Sequence, residues 1–91
     1  MLSLIWRDDA LDDLDRIFTY IADHDLQAAE KLHVAIQSCA ERLPTHPFMY
    51  RLGRVPGTRE AIVHPNYVLV YSVGADAIEV LSLLHTRQRY P

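Results

Sequence analysis

Three arginines crowd the nine-residue stretch RLGRVPGTR, where Arg51, Arg54 and Arg59 alternate with Gly53, Pro56 and Gly57 and no acid intervenes. Glycine and proline punctuate such a stretch for turns, so its side chains project from a loop as one local field of positive charge. The chain ends in a second basic cluster, His85-Thr86-Arg87-Gln88-Arg89-Tyr90-Pro91. A histidine beside arginines can move a proton on a phosphodiester while guanidinium groups stabilise the developing charge. Arginine also pairs bidentately with phosphate or carboxylate, and tyrosine adds a stacking or hydrogen-bonding surface. Arg51, Arg54, Arg59, Arg87, Arg89 and Tyr90 are therefore the expected target-binding lip, and Arg59, His85, Arg87 and Tyr90 the set a nuclease would use. The bland alternative is that these arginines pair with Glu60, Asp76, Glu79 or the acidic first helix, and that His85 only hydrogen-bonds at a strand end.

The elements that must hold these groups follow from periodicity. Leu2 to Trp6 reads as a first strand. Asp8 or Asp9 is the expected cap of a helix in which Ala10, Leu14, Ile17 and Ile21 recur at helical spacing, widened by Leu11 and Phe18. Asp25 caps a second helix carrying Leu26, Ala29, Leu32, Ile36, Cys39 and Leu43 on one side, until Pro44 and Pro47 stop the pattern. A connection this short folds the two helices into an antiparallel hairpin. Ala61 to Val63, the Pro65-Asn66 turn, Tyr67 to Val73, the Gly74-Ala75-Asp76 turn and Ala77 to Leu84 then read as strands. The expected class is α+β, in the order β-α-α-β-β-β, with the hairpin packed on a small antiparallel sheet and residues 1–91 forming a single domain.

Composition narrows the function classes. A 91-residue domain buries only about 60 to 65% of the surface its unfolded chain exposes, so its core is thin. Nothing approaches the roughly 20 apolar residues a membrane span needs, and the start lacks a signal-peptide pattern, so a cytoplasmic protein with no membrane partner is expected. Cys39 is the sole cysteine, which excludes an internal disulfide and a cysteine-based zinc site; it reads as a buried thiol. None of the five histidines belongs to a metal motif, and those at 24, 33, 46 and 64 read as ordinary surface or turn residues. The residues call for no metal and no cofactor. The net charge of −3 divides unevenly: residues 1–30 carry eight acids and two bases, residues 31–91 seven bases and four acids. The two parts project opposite fields over about a Debye length, roughly 8 to 10 Å, so one face can meet an anionic partner while another repels it.

Three strings in order, IWRDDALDDLDRIFTYIA, RVPGTREAIVHPNYVLVYSV and LLHTRQRYP, resemble the ParE/RelE superfamily of small bacterial toxins, the plasmid-stabilisation toxins of type II toxin-antitoxin modules. The resemblance runs from Leu4 to Pro91 and implies the α+β fold already read from the pattern. It implies a partner too: a cognate antitoxin, encoded alongside, whose disordered tail folds on binding to give a hetero-oligomer. Leu11, Leu14, Phe18, Leu32, Ile36, Leu81 and Leu83 are the apolar residues expected to receive it, with basic partner groups answering the acids of residues 8–25. For the toxic target the resemblance divides. RelE-type enzymes cleave messenger RNA on the ribosome and carry an arginine in a pattern like R-L-V-Y, where this chain reads Val68-Leu69-Val70-Tyr71. ParE-type toxins poison DNA gyrase by binding, which asks for no catalytic set. The expectation is a ParE-like gyrase inhibitor, with a RelE-like ribosome-dependent endoribonuclease or a degenerate toxin that only binds its antitoxin as the alternatives.

Overall fold

In the computed structural model, residues 2–87 are described, and they form two helices on one face of a five-stranded mixed sheet. The order along the chain is β1 (Ser3–Trp6), α1 (Asp8–Ala22), α2 (Leu26–Arg42), β2 (Arg51–Leu52), β3 (Thr58–His64), β4 (Tyr67–Val73) and β5 (Ala77–His85). Across the sheet it is β1-β5-β4-β3-β2. The helical hairpin and the antiparallel β3-β4-β5 meander are those expected from the sequence. Two features add to that expectation. β1 joins β5 in parallel, with Ser3 opposite Ala77 and Trp6 opposite Val80. Arg51 and Leu52, read as loop, form a two-residue edge strand opposite Glu60 and Arg59.

The local signals explain the helix ends. Asp25 caps α2, its Oδ1 accepting the Ala28 N–H at 3.1 Å, as Asn, Asp, Ser and Thr commonly do at this position. At α1 the capping position belongs to Arg7, whose side chain makes no cap; Asp8 and Asp9 instead lie in the first turn, where they complement the positive end of the helix dipole. The Arg7 N–H is already committed, donating to Val80 O at 3.0 Å and tying the helix start to β5. Asp13 adds a second tie: its Oδ2 accepts the Leu83 N–H at 3.0 Å, while Oδ1 accepts from Arg16 at 2.9 Å.

One core lies between helices and sheet, built from Ala10, Leu14 and Ile17 of α1, Leu32, Ile36, Cys39 and Ala40 of α2, Leu43, and Ala61, Leu69, Tyr71, Ile78, Val80 and Leu83 of the sheet. The apolar stripe of each helix is therefore spent on the sheet. β5 is apolar on both sides because it is central, flanked by β1 and β4, with Leu81 and Leu84 joining Val68 and Val70 in a smaller cluster on the opposite sheet face. Bulges leave Val63 of β3 and Leu81 of β5 unpaired in the register.

Candidate functional site

The basic residues do not converge. Arg59 sits opposite Tyr71 near the end of β4, whereas His85 sits opposite Tyr67 at its start. Four residues at about 3.3 Å each place them on the order of 13 Å apart along the strand, at opposite ends of the sheet. Arg87 stays with His85, its N–H donating to His85 Nδ1 at 3.1 Å, and Thr86 N–H donates to Asn66 O at 2.8 Å beside the Pro65-Asn66 turn. The single lip expected from sequence is thus two clusters. The reason lies in the meander itself: in three antiparallel strands the start of the first and the end of the third are at opposite ends. Arg89 and Tyr90 lie outside the described residues.

At the first cluster the arginines are structural members of their own loop. Arg59 donates from Nη1 to Tyr50 O at 2.8 Å and to Phe48 O at 3.5 Å, and its guanidinium lies 5.0 Å from the centre of the Phe48 ring. Arg51 grips Glu60, with Nε 3.1 Å and Nη2 2.9 Å from the same oxygen, Oε1. Glu60 is only 5% exposed, and its Oε2 has no hydrogen-bond partner. Here the bland expectation of intramolecular pairing holds for Arg51. Arg54 is exposed at the turn.

Tyr50 and Tyr71 fasten this loop to the body. The Cys39 thiol lies 3.6 Å from Tyr50 Oη as donor, and a hydrogen bond with Tyr50 raises the pKa of Arg42. The buried Tyr71 hydroxyl donates to Pro47 O at 2.8 Å; burial raises its pKa above the usual tyrosine value, against the smaller opposing pull of Arg59. The turn that follows depends on Gly53, where a Cβ would collide with Thr58 Oγ1, and on Gly57 at φ +84°. On this braced loop stand Phe48, Met49 and Leu52, 65%, 52% and 73% exposed. Sequence reasoning passed over these three. The signal available was apolar residues inside a proline-bounded stretch with no helical or strand period to bury them.

The second cluster lies under α1. His85 packs edge-on against Tyr67 at 5.4 Å between ring centres, in a cleft shared with Arg16, Ile17 and Tyr20. The Nδ1 of His85 accepts the Arg87 N–H, a local contact between strand end and following turn. Val68 occupies the opposite sheet face, 5% exposed beside Val70 and Leu84.

The apolar residues expected to receive a partner also divide. Leu14, Leu32, Ile36 and Leu83 are buried in the core, because the stripe that defines an amphipathic helix is the face that meets the sheet. They have little surface to offer. Leu81 is half-buried on the far sheet face. Leu11 and Phe18 instead line a groove of about 580 Å³ between the helices, with Leu14 at its edge, Val34 opposite, and Asp15, Glu30 and His33 completing it. Phe18 and His33 meet edge to face at 5.9 Å.

The described residues thus form a small α+β domain with an acid-rimmed apolar groove on one side and a braced apolar and cationic loop on another. The chain belongs to the family described as ParE toxin of type II toxin-antitoxin system, parDE, whose model matches residues 4–90. It is 32% identical over 87 residues to "Putative toxin Y4kP" of Sinorhizobium fredii, covering 94% of this chain and 90% of that one. It is also similar to toxin RelE2 of Caulobacter vibrioides, 29% identical over 85 residues, covering 93% and 96%. Its fold matches a solved chain of the chromosomal ParDE toxin-antitoxin system of P. aeruginosa, with a TM-score of 0.82 at 24% identity over 93% of this chain and 96% of the other.

Proposed function

We propose that this toxin acts by binding, as a ParE-like inhibitor of DNA gyrase, rather than as a ribosome-dependent nuclease. The observation that carries this reading is the dispersal of the nuclease candidates. Arg59 and His85 lie at opposite ends of the sheet, and the position expected to hold a nuclease arginine is Val68, an aliphatic side chain that cannot stabilise a phosphorane. Glu60, opposite Val70 in the next strand, adds a buried carboxylate where a phosphate would need a cation. General acid-base catalysis requires its groups within hydrogen-bond reach of one substrate, which this separation denies. The test is paired: with gyrase, ATP and supercoiled or relaxed DNA, the protein should block supercoiling or trap cleaved DNA, and in a translating extract it should leave messenger RNA intact. Ribosome-dependent cleavage would remove the gyrase reading. Inactivity in both assays would favour a degenerate toxin that only binds its antitoxin.

The same reading supplies a partner. A cognate antitoxin, in the cytoplasm with the toxin, lays an amphipathic segment into the groove of Leu11, Phe18 and Val34, with basic residues answering Asp15 and Glu30. Groove shape and acid rim support this choice. Co-expression with the neighbouring gene, purified through a tag on that neighbour, should bring this chain down; hydrogen exchange should then slow in α1 and α2.

A further inference from the structure

We infer that the loop and edge strand from Phe48 to Leu52 form the surface that grips the toxic target, and that they take an extended, acidic, apolar-bearing protein segment rather than nucleic acid. The inference rests on the gyrase reading and deepens it by assigning the contact to gyrase protein. Exposure is the first observation. Phe48, Met49 and Leu52 fall within five residues of chain and are each more than half exposed, the densest such group in a sequence whose other exposed apolar residues, such as Tyr20, Leu26 and Ile62, are scattered. Aromatic residues, methionine and arginine are the side chains enriched at the centres of protein interfaces.

Preorganisation is the second. Arg59 holds the carbonyls of Tyr50 and Phe48 and stacks on the Phe48 ring, Tyr71 holds Pro47, and Cys39 holds Tyr50. Rigid side chains lose little freedom on binding, so such a loop is poised for contact. Charge is the third. No acid occurs from Leu43 to Arg59, while Arg51, Arg54 and Arg59 all do, so the local field of the loop favours an acidic partner. Yet the guanidinium groups are not arrayed for a run of phosphates: Arg59 is committed to backbone carbonyls, and Arg51 is shared with the Glu60 carboxylate. Non-specific nucleic-acid binding needs several cations on several phosphates at once. A protein segment needs one or two carboxylates beside apolar contacts.

Topology supplies the mode. β2 ends the sheet order, paired on one side to β3, so its other side can accept an added strand. Residues on alternate sides of that strand would meet Leu52 on one face and Arg51 on the other.

The experiment uses purified gyrase tetramer without DNA, and linear duplex DNA without gyrase, as separate probes. The wild-type chain should bind the tetramer and not the duplex. Leu52→Asp and Met49→Ala, at side chains largely in solvent, should each leave the melting temperature and antitoxin complex unchanged; Leu52→Asp should weaken gyrase binding and supercoiling inhibition at least tenfold, and Met49→Ala severalfold. Inhibition equal to wild type in both variants overturns the inference and leaves the gyrase reading standing. Duplex DNA bound as tightly as the tetramer also overturns it, in favour of a nucleic-acid surface. A wild-type chain that neither binds nor inhibits gyrase removes both readings together.

Discussion

The hairpin groove and the Phe48–Leu52 loop present apolar side chains beside charge of one sign, but they are built in opposite ways. The groove sits between two helices whose stripes are already packed on the sheet, so what it shows a partner is the flank that the core did not need: Leu11, Phe18 and Val34 with Asp15 and Glu30. The loop has only the two-residue β2 as regular structure and recruits its own arginines as struts. Asp15 and Glu30 on the groove rim are exposed, whereas much of the charge on the loop is consumed in construction. A run of like charges in a sequence therefore says which partner is repelled more reliably than it says which side chains touch the partner.

The sharpest way to break this contrast is to remove the brace. Tyr71→Ala deletes a fully buried ring and the hydroxyl that holds Pro47, and should lower stability by about 3 to 5 kcal/mol, the range for large aromatic truncations. Denaturant melts would measure it. Surviving gyrase inhibition by the folded fraction would mean the loop needs no brace.

Arg51→Ala tests whether loop arginines are structural. It strips Glu60 of the one cation paired with it among the described residues and leaves a buried carboxylate, which costs about 1 to 3 kcal/mol. The pair is mixed, with the arginine side chain 61% exposed and the glutamate 6%, so an apolar double replacement, Arg51→Met with Glu60→Leu, should recover most of that loss. If Arg51→Ala has the stability of wild type, the pair contributes nothing and Arg51 is available to a partner.

For the groove the expected effect is on binding and not on folding. Leu11→Glu places a like charge beside Asp15 in an apolar floor and should weaken the antitoxin complex about tenfold, roughly 1.4 kcal/mol, with the melting temperature little changed. Titration calorimetry with the purified antitoxin would show it. Unchanged affinity would move the antitoxin site elsewhere, the half-buried patch around Leu81 included.

The smallest effect concerns alkaline pH. Burial raises the Tyr71 pKa in the folded state, so the folded protein holds that proton more tightly than the unfolded chain. The stabilisation is complete below the unfolded value of about 10 and is lost as pH rises through the folded value. Tyr71→Phe should forfeit about 1 kcal/mol at neutral pH with the hydrogen bond to Pro47, yet show a shallower decline above roughly pH 10. Parallel alkaline melts of the two proteins that decline with the same slope would place the alkaline limit on another group.

Sequence alone determined the elements whose causes are local. The Asp25 cap, the apolar spacings of α1 and α2, the prolines after Leu43 and the β-branched and aromatic runs of β4 and β5 each act within a few residues, so their elements formed where the pattern put them. The meander also followed, and with it, for a closer reader of strand direction, the separation of Arg59 from His85. What only the tertiary structure decided depends on partners distant in the chain. Ser3 finds Ala77 in parallel register, Asp13 finds the Leu83 amide, and Leu32 and Ile36 are withdrawn from any partner because a sheet lies beneath them. Likewise, no local rule ties Tyr71 to Pro47 or turns Arg59 back on Tyr50. Periodicity reports that a side chain is apolar or charged every third or second residue; it carries no term for what stands opposite, and the opposite group decides whether that side chain is core, strut or surface.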